Sequence, residues 1–405
     1  MSDMPDQPVS APRQRALTAF ARLWPGDTPS LMVRAPGRVN LLGGHVDMHG
    51  GLVITIALER GIWLVAAPGT DSLSTLHALD LGANVTLAHT PEALEARLDV
   101  TGNPLPGWAH YPAGVMWALC QRALKAMELR VVFAGDLPIG AGLGSSAAVE
   151  VAFAVTWAAL GGWSLGADDL AQVTLEAERG YLGLGIGIQD QYTILQARQG
   201  HALWLDCRSL RHEHIPFPSG GTAVICDTNT RRALTGSGYG SRARDAHEAA
   251  RLIGERDPAV RTLRDVTPEQ LEAHRHALTE TQYRRARHVV GEIARVERAA
   301  EALRRGDLAA MGTLMNESYF SARDDYGSSS PALDAMWTAA TTQPGCYGAR
   351  YSGGGEAGAV VALVDTAQVR DFLAGAAETY QRLTGRQGAF FVTPPSAGAG
   401  VWEQR

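Results

Sequence analysis

The densest run of residues able to do chemistry is Asp136-Leu-Pro-Ile-Gly-Ala-Gly-Leu-Gly-Ser-Ser-Ala-Ala148. Gly140, Gly142 and Gly144 alternate with Ala141 and Leu143, then run into Ser145, Ser146 and Ala147. From Ser146 to Leu160 there is no Pro or Gly, which predicts a helix ended by Gly161-Gly162. Glycine tolerates positive φ and lets backbone N–H groups approach a ligand closely. A helix start adds unpaired N–H donors and a partial positive charge. Together these make a cradle for an anion, phosphate above all. The serine hydroxyls can cap the helix or touch a magnesium ion. Taken alone, the local pattern reads equally well as an ordinary glycine turn with a serine cap.

Other chemistries find less support. Lys125 is the single lysine and every other basic residue is arginine. No Gly-x-x-x-x-Gly-Lys-Ser/Thr loop is therefore present, and a lysine Schiff base could come only from Lys125. Cys120, Cys207, Cys226 and Cys346 are scattered without a Cys-x-x-Cys pair. That predicts neither a disulfide framework nor a zinc cluster, and fits a reducing cytoplasm. His212-Glu-His214 reads as alternation on a strand or loop edge rather than a metal pair, and His274 and His276 as solvated helix residues. No Gly-x-Ser-x-Gly elbow accompanies a plausible triad. The formal net charge of −6 argues against a general nucleic-acid binder. No uninterrupted apolar run reaches the ~18 residues of a membrane span; Leu52 to Pro68 comes near but carries Glu59 and Arg60.

The elements that must position the loop are mixed. With 405 residues, 45% hydrophobic and 19% charged, the chain is long enough for two or three domains, or two lobes sharing one core. Residues 1–12 read as a loose polar tail without an apolar signal core, and Arg13 to Trp24 as a surface helix. Leu31 to Arg34 reads as a short strand ended by the turn at Ala35-Pro-Gly. Leu52–Ala57 and Ile62–Ala67 read as strands paired across Leu58–Gly61. Val131–Phe133, His201–Asp206, Thr222–Asp227, Val360–Val364 and Phe390–Val392 are further strands. Asp168–Arg179, much of 242–306 and Ala367–Thr384 read as helical. Strands and helices do not alternate regularly, so the expected class is α+β.

The glycine loop, read with two other segments, resembles the GHMP kinases, a family of small-molecule kinases. Ala35-Pro-Gly-Arg-Val-Asn-Leu-Leu-Gly-Gly-His-Val-Asp47 is similar to the signature of the galactokinase branch, and Gly348-Ala-Arg-Tyr-Ser-Gly-Gly-Gly355 to the family's C-terminal glycine motif. Gly187-Ile-Gln-Asp-Gln191, His201 to Leu210, Tyr283 to Val290, Met315-Asn-Glu-Ser and Arg323-Asp-Asp-Tyr326 also resemble that branch. In order, they span nearly the whole chain. The resemblance implies a two-lobed α+β fold with the active site between an N-terminal lobe, 13–210, and a C-terminal lobe, 211–405. It implies ATP-dependent, magnesium-requiring phosphorylation of a sugar's anomeric hydroxyl. The implied partners are the sugar and ATP, without nucleic acid or membrane, on a cytoplasmic monomer or weak homodimer.

By the same resemblance, Asp190 is the catalytic acid that accepts the hydroxyl proton, and Arg38 is the arginine beside it that offsets phosphate charge. Gly140, Gly142, Leu143, Gly144, Ser145, Ser146 and Ala147 hold the phosphates. Ser146 and Glu178 hold magnesium, as hard oxygen ligands suit it, although Glu176 reads equally well from the residues alone. Trp108 and Tyr111 flank adenine or fill the core. His45, Asp47, Gly187 and Tyr239 bind the sugar. Four positions depart from the pattern. Gly44 stands where the family has a glutamate that contacts the C6 hydroxyl, Met48 replaces a tyrosine, Gly238 replaces a glutamate, and Glu356 replaces a phenylalanine. The resemblance implies D-galactose as the substrate, with water in the gap at Gly44; L-arabinose, which lacks C6, and galacturonate are the alternatives that Gly44 leaves open. At ~4 Å and an effective dielectric of ~20, two like charges repel by roughly 4 kcal/mol, so loss of the glutamate would admit an acid. The sequence names no cation to receive one. A non-catalytic sugar sensor is the remaining reading, disfavoured by the intact loop and Asp190.

Overall fold

The computed structural model describes residues 11–69, 73–231 and 238–402, without the side chain of Tyr239. The expected tail therefore lies mostly outside the described residues. Where the description begins, Ala11 and Pro12 already belong to the first helix, Ala11–Leu23; proline suits a helix's opening turn, where its missing N–H is not needed.

Among the described residues twelve strands form two sheets. The larger holds β1 (Leu31–Leu42), β2 (Leu52–Pro68), β3 (Leu73–Ala78), β4 (Ala83–Ala88), β5 (Leu129–Gly135), β6 (His201–Asp206), β7 (His212–Pro216) and, near the chain's end, β12 (Gly400–Val401). The smaller holds β8 (Gly221–Asp227), β9 (Cys346–Tyr351), β10 (Ala359–Asp365) and β11 (Ala389–Thr393) in the order β11-β8-β10-β9, all antiparallel. The mixture confirms α+β. The sheets do not divide the chain cleanly at 210, since β7 pairs β6 and β12 pairs β1 in the first sheet.

β2 corrects two expectations. Leu58–Gly61 is not a hairpin turn; Leu52 to Pro68 is one strand, paired along both halves with β1. Its first half also pairs β6 and its second half β5. The polar pair that suggested a turn is instead engaged at the strand's surface. Arg34 donates to the carbonyls of Leu58 and Glu59, and the Arg60 guanidinium lies 3.9 Å from the Phe391 ring centroid. Gly61 is needed for close backbone approach, because a Cβ there would stand 2.5 Å from the Ala35 oxygen. Likewise β1 continues through Ala35-Pro-Gly, with register shifts between Pro36 and Arg38 and between Asn40 and Leu42. Such bulges take up proline and re-aim side chains.

The helix Ser145–Leu160 is apolar nearly all round, with Ala147, Val151, Phe153 and Trp157 buried, as expected of a helix enclosed by its neighbours. It packs on β1 and β2. The long helix Glu280–Arg304 packs against Tyr239–Gly254 and Leu308–Asp324, closing the far side of the β1–β2 connection. The last described segment returns to the first sheet. Trp402 N–H donates to Met32 O, while Gly398 and Ala399 donate to the carbonyls of Ala197 and Ile194, where the helix Gln189–Gln196 ends.

Candidate active site

A cleft of about 520 Å³ runs along the glycine loop and is lined by residues of all three glycine-containing motifs, among them Arg38, Ser146 and Gly353, and by Asp190. The loop has the backbone its composition predicts: φ is 73° at Gly140, 76° at Gly142 and 77° at Gly144. The helix starts at Ser145, one residue before the expected start, and its cap position is Gly144 rather than a serine. Its first N–H groups thus lack a side-chain cap and remain for an anion. Leu143 and Ala147 are buried beneath the loop, and the Leu143 carbonyl accepts the Arg38 N–H at 2.9 Å. The C-terminal glycine motif buttresses it. Ser352 Oγ donates to Gly142 O at 3.0 Å, and Ala359 N–H to Ala141 O at 3.1 Å.

At the loop's mouth Arg38, carried on the β1 bulge, grips Asp190 in the first turn of Gln189–Gln196. Nε meets Oδ1 at 2.5 Å and Nη2 meets Oδ2, while Nη1 donates to Gly142 O at 2.8 Å. One guanidinium therefore joins Asp190 to the glycine loop. Arg38 is buried, whereas the Asp190 side chain keeps 26% of its exposure, enough to meet a substrate.

His45 and Asp47 line the same cleft, beside Gly187. A Cβ at Gly187 would stand 2.3 Å from Asp47 Oδ2, so only glycine leaves that carboxylate in place. Burial first, and Asp190 second, push Asp47 up to about 6. His45 sits at φ 62°, a left-handed conformation rare for a histidine, with its ring stacked 4.4 Å from Tyr326. The turn before it is pinned from Glu280–Arg304: Glu292 accepts from Gly43 N–H at 2.9 Å and Gly44 N–H at 3.1 Å, and His288 Nε2 lies 3.0 Å from Gly44 O. Burial acts to raise Glu292, but the Arg295 and Arg350 charges outweigh it and hold the carboxyl at about 2. Tyr239 opens its helix, and its side chain lies outside the described residues.

Glu178, not Glu176, faces the cleft. Glu176 ends its helix paired with Arg122 at 2.8 Å. The next turn, Ala177–Tyr181, is a π-helix, which inserts a residue and alters the facing of those that follow. Glu178 is buried and bonded to Gln191 Nε2; burial and then Asp190 push it up to about 8. Neither carboxylate oxygen of buried Glu150 has a partner, and burial and Glu178 raise this acid well above its usual range. This surplus of acidic oxygen beside Ser146 has the hard donors that magnesium prefers. Tyr111 lines the cleft and is pushed up to about 12 by burial, then Glu150 and Glu178. Trp108 belongs to an apolar wall with Ile62, Leu81, Phe133 and Leu137. Its buried Nε1–H has no partner.

Two of the four departures are linked. Glu356 Oε1 accepts from Gly238 N–H at 3.2 Å and from Arg242 Nη1 at 2.6 Å, and a Cβ on Gly238 would lie 2.8 Å from that oxygen. Glu356 thus holds its carboxylate against the position where residue 238 has no side chain. At Gly44 the neighbour is Arg350, whose Nη2 lies 2.2 Å from where a Cβ would stand. Nothing in the structure explains Met48. The sequence reading singled out neither Arg350, Asn40 nor Gln189; Arg350 stood inside a quoted motif. His212 and His214 face Tyr192 and the Gln196 carbonyl, and no three metal-ligating side chains cluster among the described residues.

A backbone nest at a helix start, an arginine-paired acid at its mouth and a polar recess beyond suit a small-molecule kinase. The chain matches the family models for the GHMP kinases N terminal domain over 110–198, the galactokinase galactose-binding signature over 18–68 and GHMP kinases C terminal over 299–381. It is 38% identical over 375 residues to the galactokinase of Roseiflexus sp. (strain RS-1), covering 93% of this chain and 94% of that one. To the Homo sapiens galactokinase it is 39% identical over 381 residues, 93% of each. A crystal structure of Lactococcus lactis galactokinase complexed with galactose matches at TM-score 0.87 and 29% identity, over 95% of this chain and 98% of that one. A mevalonate kinase structure, at 17% identity over 90% of this chain and 99% of that one and TM-score 0.60, shares the fold. The chain belongs to the galactokinase family. It is accordingly a phosphotransferase with ATP as a substrate.

Proposed function

We propose that the protein phosphorylates the anomeric hydroxyl of D-galactose, giving galactose 1-phosphate and ADP. The observation that carries this is the Asp190–Arg38 pair at the mouth of the glycine loop. Full-length similarity to galactokinases favours galactose over L-arabinose as the main substrate. The glycine loop from Gly140 to Ala147 takes the phosphates through backbone N–H groups, and the wall at Trp108 and Tyr111 takes the adenine. His45, Asp47, Gly187 and Tyr239 orient the sugar. Asp190 accepts the hydroxyl proton as the oxygen attacks the γ-phosphorus, and Arg38 offsets the charge gathering there. Ser146 and Glu178 would hold magnesium, which when bound offsets charge on the terminal phosphates. A silent sensor would have no use for this clamped acid beside an open phosphate nest.

The two sheets support a lobe division near 210, with β7 and β12 returned to the first lobe. One chain supplies the whole cleft, which supports a functional monomer. The four cysteines are free and no helix among the described residues is long and apolar enough to cross a membrane, which suits the cytoplasm. Coupled ADP release with galactose and Mg-ATP tests the reading. Turnover is expected, and Asp190→Asn should lower kcat by roughly 10²–10⁴-fold while calorimetry still shows ATP binding. Absence of ADP release from galactose sinks the substrate assignment; undiminished turnover in the variant sinks the base.

A further inference from the structure

Asp190 receives a second donor besides Arg38. Gln189 Nε2 lies 3.3 Å from Asp190 Oδ1, the oxygen that Arg38 Nε already meets at 2.5 Å. Adjacent residues of a helix point roughly 100° apart, so helix geometry alone does not make this contact. The Gln189 amide is held there from its other side. Asn40 Nδ2 donates to Gln189 Oε1 and, at 3.1 Å, to Gly43 O. Asn40 Oδ1 in turn accepts from Arg350 Nη1 at 2.8 Å, and the Asn40 carbonyl accepts from the same nitrogen at 3.1 Å. Arg350 stands on β9, so the series of bonds runs from the smaller sheet through β1 to Asp190.

The direction of every bond in the series is set at its far end. A guanidinium offers N–H groups and no acceptor, so only the oxygen of the Asn40 amide can face it. That turns the Asn40 NH2 toward Gln189, which must answer with its oxygen, and the Gln189 NH2 is left for Asp190. Asn40, Gln189 and Arg350 are all buried. An amide turned the wrong way there would set oxygen against oxygen with no water to relieve it. At Asp190 the result is asymmetric. A carboxylate has about two acceptor sites on each oxygen. Among the described residues Oδ1 has two donors, Arg38 Nε and Gln189 Nε2, whereas Oδ2 has one, Arg38 Nη2.

We propose that Gln189 is a positioning residue for the phosphoryl transfer: through an amide series oriented by Arg350, it occupies Oδ1 of Asp190 and leaves Oδ2 as the oxygen that takes the hydroxyl proton. This rests on the sugar-kinase reading above and deepens it. The anomeric oxygen bonds to the γ-phosphorus, its proton passes to Oδ2, the bond from phosphorus to the β–γ bridging oxygen breaks and ADP leaves. Gln189 and Asn40 neither take nor give a proton; they fix which side of the carboxylate meets the hydroxyl.

The test is a mutant cycle read by ADP release from galactose and Mg-ATP. Gln189→Leu, which keeps the bulk and removes the amide, should lower kcat about tenfold while KM for each substrate stays within about twofold. Asn40→Asp puts an acceptor where Gln189 needs a donor, so the Gln189 amide turns its oxygen to Asp190; kcat should fall about 30-fold or more. Adding Gln189→Leu to Asn40→Asp should then raise kcat, back to the level of Gln189→Leu alone. If Asn40→Asp does not fold, Gln189→Glu serves instead. Its new carboxyl can donate to Asp190 only when protonated, so its deficit against wild type should widen as pH rises, while that of Gln189→Leu stays constant. Losses that simply add, a deficit in Gln189→Glu that ignores pH, or a raised galactose KM with kcat kept overturn the positioning role and leave the kinase reading standing. No turnover by the wild-type protein overturns the kinase reading instead. The amide series is then judged by the Gln189 side-chain NH2 signal in NMR, assigned by its loss in Gln189→Leu: it should shift in both Asp190→Asn and Asn40→Asp, and a signal indifferent to both overturns the series.

Discussion

Gly142 allows the phosphate cradle to be tested by adding a single methyl group. Its φ of 76° is one an alanine adopts at a cost of about 1–2 kcal/mol. Space is a second cost. An added Cβ would stand 2.6 Å from the Ser352 carbonyl oxygen and 3.4 Å from Gly353 Cα, and these are backbone atoms that cannot rotate away. Overpacking of this kind adds about 1–3 kcal/mol. Gly142 also presents its carbonyl to both Arg38 and Ser352, so a shift of the loop disturbs the acid's clamp and the buttress together. Gly200 is the control: its φ is 73°, with nothing within 4 Å of an added Cβ. Urea unfolding of Gly142→Ala and Gly200→Ala should show the conformational cost in both and the steric excess in Gly142→Ala alone. If the loop relieves that excess by moving out of its phosphate-ready shape, ATP affinity falls by the same 1–3 kcal/mol, about 5- to 150-fold, against little change for Gly200→Ala. Equal stability and equal KM for ATP in the two variants would refute the claim that the C-terminal motif sets the loop's shape.

Three further outcomes follow from the geometry. Glu178 is held neutral up to about pH 8 in the metal-free protein, against an ordinary value of 4.5. Between those values the unfolded chain binds fewer protons than the folded one, so its contribution to stability falls as pH rises. Magnesium must displace that proton, so apparent magnesium affinity should climb between pH 6 and 8, by about tenfold per unit at most, and lose that dependence in Glu178→Gln; a flat wild-type profile contradicts the assignment. Gly238→Glu should destabilise the protein by setting a second carboxylate against Glu356, and adding Glu356→Phe should recover about 1–3 kcal/mol in a double-mutant cycle; additive losses would show that the two positions do not exchange one charge. Gly187→Ala should raise the sugar KM about tenfold or more, because its Cβ displaces Asp47, with KM for ATP little moved; an unchanged sugar KM removes Asp47 from the sugar site.

What could be read from the sequence was what neighbouring residues decide. The glycine loop, its helix and the strand at Thr222–Asp227 are local patterns and stand almost where expected. β2 was misread because Glu59-Arg60 resembles a turn until Arg34 and Phe391, far away in the chain, are seen to engage it. The choice between Glu176 and Glu178 depended on a π-turn, which no periodicity announces. Arg350 was invisible for another reason: within its motif it is one more arginine, and only the fold brings its guanidinium against Gly44, in the turn that follows β1.

The return of residues 398–402 to β1 and to the end of the Asp190 helix stitches together two elements far apart in sequence. Gly398 and Ala399 occupy the carbonyls of Ala197 and Ile194 at that helix's end, while Gly400, Val401 and Trp402 lie along the edge of β1. A substitution that breaks these backbone bonds would therefore loosen the strand carrying Arg38 and the helix carrying Asp190 together, with neither residue itself changed.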